Sequence, residues 1–90
     1  MFNIMYKIRL PVDLGIAIAL HRRHNKLSAV AIAHKAGRSR TVLHNLERGQ
    51  DVTVGSLFDI LRAMGLCLRI EKAGMPTLEE MQHRFLGEDE

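Results

Sequence analysis

The 90-residue chain has little of several features that would point to particular classes of protein. It contains one cysteine, Cys67, which excludes an internal disulfide framework and is typical of a reducing cytoplasm. No apolar run approaches the roughly 18 residues that a bilayer-spanning helix needs. Residues 1–20 also lack the basic start of a secretory signal. The sequence therefore predicts a soluble cytoplasmic protein.

Signatures of catalysis are also absent from the sequence. It has neither a Gly-rich phosphate loop nor a paired-carboxylate motif. Cys67 has no base beside it, and His21 and His24 have no third ligand cluster, so all three are expected to be packing or surface residues. One domain of this size leaves little room for a deep substrate cleft. We expect no enzyme, and no metal or cofactor.

Acidic residues are scarce in most of the chain and are concentrated at its end. Residues 1–72 carry 12 Lys and Arg against five Asp and Glu, a balance of +7. Residues 73–90 carry one Arg against five acids, a balance of −4. The basic part indicates a polyanionic partner, whereas the acidic end would be repelled by the same partner. We therefore expect two parts, a basic domain at 1–74 and an acidic tail at 75–90.

Alternating apolar residues predict a strand near each end of the basic part. The first covers residues 2–10 and stops at Pro11, and the second covers residues 66–71. Two strands of this length are marginal alone. They can pair with each other or with their copies in a second chain. Pairing between two chains would cover their edges and apolar faces, so we expect a homodimer with a shared sheet.

Helix signals fill the region between the two strands. Asp13 is a candidate cap for a first helix to about His24. Ser28 caps a second helix through Ala36, which Gly37 ends. Ser39 caps a third helix through Arg48, and residues 54–64 form a fourth after Thr53. A capping box at residues 77–80 predicts a last short helix, so the fold class is mainly α with four to five helices.

The segment from Ser28 to Gly49 is the most informative part of the sequence. Two short helices are separated by a tight turn, and Ala33 and Ala36 allow them to cross closely. Leu43 and Leu46 would anchor the third helix by one apolar edge. Its other face is polar and begins with an arginine, an arrangement that suits the major groove of DNA.

This segment resembles the Xre/Cro-type helix-turn-helix family, and the resemblance extends over about residues 13–65. A strand after the fourth helix is also similar to the arrangement in HipB-type antitoxins, where such strands join two chains. The matching positions are Leu14, Gly15, Ile18, Arg22, Leu27, Ser28, residues 32–37, Ser39, Arg40, Leu43 and residues 46–49.

The resemblance implies a role for each matching polar residue. Base contacts are expected from Arg40, Thr41, His44 and Asn45, since Arg can bridge guanine N7 and O6 and Asn can pair with adenine. Arg22 and Glu47 occupy positions that form an ion pair between the first and third helices. Phosphate contacts are expected from Lys26, Ser28, Ser39 and Arg48, and Arg38 is a further candidate because of its own charge.

Three residues depart from the family pattern. Ala29 replaces a glutamine that contacts a phosphate at the start of the second helix. Arg38 replaces an apolar turn residue, which weakens the packing of the turn and adds a candidate phosphate contact. His21 stands where an aliphatic residue is common. These departures affect the details of the contacts more than the fold.

The acidic tail leaves two interpretations open. It can be a short amphipathic helix folded on its own domain or a frayed end. Alternatively, Leu78, Met81 and Phe85 can enter a groove on a partner protein, because they share one helix face.

The sequence thus predicts a homodimeric repressor that binds double-stranded DNA at a pseudo-palindromic operator. The strand after the fourth helix and the charge-inverted tail favour an antitoxin that regulates its own promoter and neutralises a toxin partner. Two alternatives remain, a stand-alone Xre-type regulator and a protein-interaction module that has lost DNA binding.

Overall fold

Residues 7–73 are the part of the chain that the structure, a computed structural model, describes. They contain four helices: α1 (Pro11–His24), α2 (Ala29–Ala36), α3 (Arg40–Glu47) and α4 (Val54–Ala63). α1 packs against α3, while α2 packs against α3 and most extensively against α4. The predicted helix after residue 76 and strand residues 2–6 lie outside the described residues. The four predicted helices between them are confirmed.

Three of the helices begin at the capping residues that the sequence predicts. The Ser28 hydroxyl accepts a hydrogen bond from the Ala31 N–H at 3.3 Å. The Ser39 hydroxyl accepts one from the Val42 N–H at 3.2 Å, and Thr53 caps α4 in the same way. Each cap satisfies a backbone donor that the first helical turn leaves unpaired.

The turn between α2 and α3 depends on Gly37. Its φ of +68° lies in the left-handed region, which is favourable for glycine because it has no Cβ. The next residue, Arg38, then donates its backbone N–H to the Ala33 carbonyl at 3.0 Å. The second helix therefore ends where predicted, whereas α3 and α4 each end one residue sooner, at Glu47 and Ala63.

The start of α1 differs from the prediction. The helix begins at Pro11, after Leu10, and Asp13 lies inside its first turn instead of capping it. The Asp13 carboxylate accepts hydrogen bonds from the backbone N–H groups of Arg9 and Leu10, at 3.2 and 3.1 Å. Proline is favoured here because its fixed φ suits the first helical position, where no N–H is needed. Assigning Pro11 to the end of a strand and Asp13 to the cap was therefore wrong.

All four helices contribute to one apolar core. Its most enclosed side chains are Ile18 of α1, Leu43 of α3 and Ile60 of α4. Ile32 of α2 joins them, and Met64 closes the cluster after the last helix. Burying a side chain of this size stabilises a fold by about 1.5–3 kcal/mol. α3 packs against this core through Leu43 and Leu46.

α1 and α3 approach each other most closely at Gly15. A Cβ built at this position would lie 2.5 Å from the carbonyl oxygens of both Leu46 and Glu47. Backbone, not a movable side chain, occupies that space. Only glycine fits, so Gly15 sets the distance between the two helices.

The described parts of the two predicted strands, residues 7–10 and 66–71, are not strands in the single chain. Residues 7–10 and 66–73 lie outside the helices, and no backbone ladder joins them among the described residues. They meet through side chains instead. Lys7 Nζ donates to the Lys72 carbonyl at 2.9 Å, and the Arg9 guanidinium donates to the Ala73 carbonyl. The shared sheet of a dimer therefore stays a prediction.

Within residues 7–73, no helix has the length and apolar character needed to cross a membrane.

Candidate nucleic-acid interface

The outer face of α3 presents the polar side chains that the resemblance assigns to base contacts. Arg40, Thr41 and His44 are exposed, and Asn45 is half-buried. On the opposite side, Leu43 and Leu46 are buried in the core, at 0% and 3% exposure. A helix repeats every 3.6 residues, so the four polar residues share one side over the first turn and a half. The geometry leaves this side free to enter a groove.

α3 is tied to α1 by an ion pair between Arg22 and Glu47. Arg22 Nε donates to Glu47 Oε2 at 2.6 Å and Arg22 Nη2 donates to Oε1 at 3.1 Å, so the contact is bidentate. The side chains are 14% and 8% exposed. The hydrogen bond to Glu47 raises the pKa of Arg22 above its ordinary value. Arg22 also donates to the Leu27 carbonyl at 3.2 Å, which places the loop before α2.

Three helix N-termini near this surface lack acidic residues. The first turns of α2, α3 and α4 contain no Asp or Glu, whereas that of α1 contains Asp13. A helix N-terminus carries a partial positive charge and unpaired N–H groups. The first turns that follow Ser28 and Ser39 therefore contribute no carboxylate of their own that would compete with a phosphate.

Lys26 lies in the turn that leads into α2. It is exposed and has a φ of +56°, in the left-handed region. Its backbone N–H donates to the Arg23 carbonyl at 3.1 Å, so the turn closes the end of α1. The resemblance assigns Lys26 to a phosphate, and its position beside the N-terminus of α2 is compatible with that role.

Asn45 and Arg48 are in contact at the end of α3. Arg48 Nη2 donates to Asn45 Oδ1 at 3.4 Å. Arginine has donors only, so the amide must turn its oxygen toward Arg48, and its NH2 group remains available. Sequence reasoning assigned the two residues to a base and a phosphate separately and did not expect their contact.

Arg38 points to α4. Its Nε donates to Asp59 Oδ2 at 2.9 Å and its Nη2 lies 2.8 Å from the same oxygen. Arg62 donates to the other oxygen, Oδ1, at 2.5 Å. The hydrogen bond from Arg38 is the largest cause of a lowered pKa for Asp59, and Arg62 adds to it. Asp59 was missed by sequence reasoning, since nothing local links it to a residue 21 positions away.

The sequence offers three other candidate features: a metal site, the thiol of Cys67 and the acidic tail. Within the described residues no group of three or more His, Cys, Asp or Glu could hold a metal ion. Cys67 is a free, exposed thiol. The partner-binding residues proposed for the tail, Leu78, Met81 and Phe85, lie outside the described residues.

Solved structures with this arrangement include complexes of HipB. The structure described as a HipB-O4 20mer complex has a TM-score of 0.72 and 27% identity, and the match covers 77% of this chain and 99% of that chain. A HipA-HipB-O2-O3 complex has a TM-score of 0.71 and 28% identity, covering 76% of this chain and 97% of that chain. The fold is similar to that of HipB, in line with the resemblance to the Xre/Cro-type helix-turn-helix that the sequence shows.

A second kind of neighbour matches more of the chain at a lower sequence identity. It is the restriction-modification controller protein C.Esp1396I, with a TM-score of 0.57, 16% identity, and coverage of 93% of this chain and 95% of that chain. At this identity the likeness concerns the fold alone. No protein-family model matches the chain, and neither does any curated protein.

Proposed function

We propose that the chain is a sequence-specific DNA-binding repressor and the antitoxin of a toxin–antitoxin pair. The observation that carries the proposal is the polar side of α3, which is exposed while Leu43 and Leu46 anchor the opposite side in the core. The Arg22–Glu47 ion pair fixes this helix to α1. Arg40 and Asn45 are then the main base-reading residues, with Thr41 and His44 beside them. The role needs no catalysis, because repression follows from occupying promoter DNA.

The HipB neighbours support DNA as the partner, because they include HipB–DNA operator complexes. Lys26, Ser28, Ser39 and Arg48 are the proposed phosphate contacts that would set the register on the duplex. The positive balance of residues 1–72 favours the same polyanion. Autoregulation follows if the operator lies in the promoter of the protein's own gene.

A homodimer is the proposed functional unit. Leu68 and Ile70 are 45% and 97% exposed in the single chain, and an extended segment with such side chains is stabilised by a partner strand. A groove of about 470 Å³ runs beside residues 67–73. In the proposed dimer the two α3 helices must lie about 34 Å apart to enter successive major grooves of a pseudo-palindromic operator.

The antitoxin role is supported by the HipA-HipB-O2-O3 complex among the neighbours. The proposed partner is a toxin protein encoded by an adjacent gene. Co-expression of the two genes and purification through a tag on the toxin tests this part. Recovery of both chains in a fixed ratio is expected, whereas a toxin recovered alone leaves a stand-alone regulator as the function.

Selection of DNA from a random duplex pool by the full chain tests the DNA-binding part. The expected result is an enriched motif with two-fold symmetry and a spacing of about one helical turn between half-sites. Selection with Arg40→Ala should lose enrichment at one position in each half-site. A pool that shows no enrichment with the wild-type chain would favour the protein-interaction module.

A further inference from the structure

Arg38 occupies the turn residue between α2 and α3, immediately before Ser39, the cap of α3. Its charged group is directed to α4, where Asp59 accepts a hydrogen bond from Nε at 2.9 Å. The side chains are 38% and 23% exposed, so the contact is partly shielded from water. A Cβ built on Gly55 would lie 3.7 Å from Arg38 Nη2, so the guanidinium also lies over the first turn of α4.

The inner edge of α3 is attached to the core along its length, since Leu43 in its first turn and Leu46 in its second are buried. Arg38 adds an attachment at the turn that precedes the helix. Arg40 and Thr41, which begin the helix, are exposed. α4 packs chiefly on α2, with less contact to α3. The ion pair between Arg38 and Asp59 therefore connects α4 to the turn that immediately precedes the polar side of α3.

We infer that Arg38 and Asp59 are positioning residues for the recognition helix, and that the ion pair between them fixes the orientation of the first turn of α3 for DNA binding. The inference rests on the proposed DNA-binding function. It assigns Arg38 a different role from the phosphate contact that the sequence suggests. Asp59 of α4 becomes necessary for full affinity although it does not touch DNA.

Electrostatics favour the positioning role over a phosphate contact. Nε and Nη2 of Arg38 face the Asp59 carboxylate, and the same carboxylate would repel a phosphate brought near it. Asp59 carries its negative charge at neutral pH, and the hydrogen bond from Arg38 lowers its pKa further, so a phosphate beside Arg38 would face that charge. The ion pair of Arg38 with Asp59 also takes the place of the packing contact that an apolar residue in the turn between α2 and α3 would make.

Exchanging the two charges provides the test. Positioning of α3 requires an ion pair between positions 38 and 59 in either orientation, whereas a phosphate contact requires an arginine at position 38. The variants are Arg38→Gln, Asp59→Asn and the double exchange Arg38→Asp with Asp59→Arg. Each is prepared as the full chain and titrated by fluorescence anisotropy into the duplex enriched from the random pool. The titrations are repeated across salt concentrations, and circular dichroism confirms that each variant is folded at the assay temperature.

Two further variants are matched controls. Arg62→Gln removes a guanidinium from the same Asp59 carboxylate, but Arg62 is 75% exposed and lies within α4, so it does not connect α4 to the turn. Arg48→Gln removes a proposed phosphate contact and calibrates the salt dependence. Each phosphate contact contributes about 0.9 to the slope of log K against log salt concentration.

Under the positioning role, Arg38→Gln and Asp59→Asn each weaken binding by about tenfold, since a dimer carries the pair twice and each copy contributes about threefold. Their salt slopes equal that of the wild type, the double exchange regains most of the affinity, and Arg62→Gln has no effect. The inference is overturned if Asp59→Asn binds more tightly, if Arg38→Gln lowers the slope as Arg48→Gln does, or if the double exchange fails to recover. Unchanged affinity in both single variants overturns it as well.

Failure of this inference is distinguishable from failure of the proposed function. If the wild-type chain enriches no duplex, the DNA-binding function is wrong, and the pairing of Arg38 with Asp59 concerns stability alone. If the wild-type chain binds its enriched duplex and the variants depart from the expected pattern, the inference fails while the function stands.

Discussion

The Arg22 guanidinium and the Glu47 carboxylate face each other at 2.6 Å and join α1 to the C-terminal end of α3. The pair is nearly enclosed, and Arg22 additionally holds the Leu27 carbonyl. Gly15 brings α1 against the backbone of α3 about two turns before Arg22. The proposed recognition helix is thus fixed at its C-terminal end by Arg22–Glu47 and Gly15, and at its N-terminal end by Arg38–Asp59.

Glu47→Gln is expected to lower the free energy of unfolding by about 3 kcal/mol, because it leaves the Arg22 charge shielded from water without a counter-charge. Urea denaturation followed by circular dichroism measures the change. Glu71→Gln is the matched control, since Glu71 lies 4.0 Å from Lys7 in an exposed pair. This control should change the free energy by less than about 1 kcal/mol. Equal effects of the two substitutions would contradict the structural role of Glu47.

Gly15→Ala and Gly55→Ala are expected to have opposite effects on stability. At Gly15 the new Cβ meets two carbonyl oxygens at 2.5 Å, so α1 must move and about 1–3 kcal/mol is lost. At Gly55 the nearest atom is Arg38 Nη2 at 3.7 Å, an ordinary contact. Alanine is the better helix former there and should add about 0.5 kcal/mol. Thermal unfolding of the two variants measures whether each substitution raises or lowers the stability. A Gly15→Ala variant as stable as the wild type would refute the close approach of α1 to the backbone of α3.

Asp59 should contribute to the acid sensitivity of the fold. Its pKa is lowered from the ordinary 3.8 by Arg38 and Arg62, so the stabilisation is present above the unfolded pKa and is lost as pH falls through the folded one. The wild type should therefore be more stable than Asp59→Asn at pH 6, and the difference should shrink toward pH 3. Urea denaturation across this range measures it. A gap that stays constant with pH would mean that the ionised carboxylate is not what stabilises the pair.

Ile70→Asp tests the proposed dimer. Ile70 is 97% exposed in the single chain, so the substitution should not disturb the core of the domain. A charge in the proposed shared sheet should shift the species measured by sedimentation equilibrium from dimer to monomer. Val54→Asp is the control, since Val54 is 69% exposed at the start of α4 and outside that sheet. A dimer that survives Ile70→Asp would require another interface.

Local signals explain how much of the fold the sequence predicts. Ser28, Ser39 and Thr53 cap their helices through hydrogen bonds to residues three positions away, and Gly37 turns the chain by its own backbone conformation. Such features need no information from the rest of the chain. Pro11 was misread because proline ends a strand and begins a helix equally well.

Contacts between residues far apart in the sequence cannot be predicted from local patterns. Some are implied by the family resemblance, and others are not predicted at all. The positions of Arg22 and Glu47 are implied by the resemblance, whereas Asp59 has no local pattern that marks it. Its contact with Arg38 requires that α4 fold back on α2 and the turn. The hydrogen bond from Arg48 to Asn45 is local, but the same spacing occurs on any helix. Strand pairing between two chains depends on a partner that the single chain does not contain.

The central claim is that the polar side of α3 reads DNA sequence, and a competition titration with Arg40→Ala tests it most directly. The wild-type and variant chains are titrated with the enriched duplex and with a scrambled duplex of equal length at one salt concentration. We expect Arg40→Ala to lose about 1–3 kcal/mol of discrimination per half-site, while its affinity for the scrambled duplex changes much less. An Arg40→Ala chain that discriminates between the two duplexes as well as the wild type would contradict it.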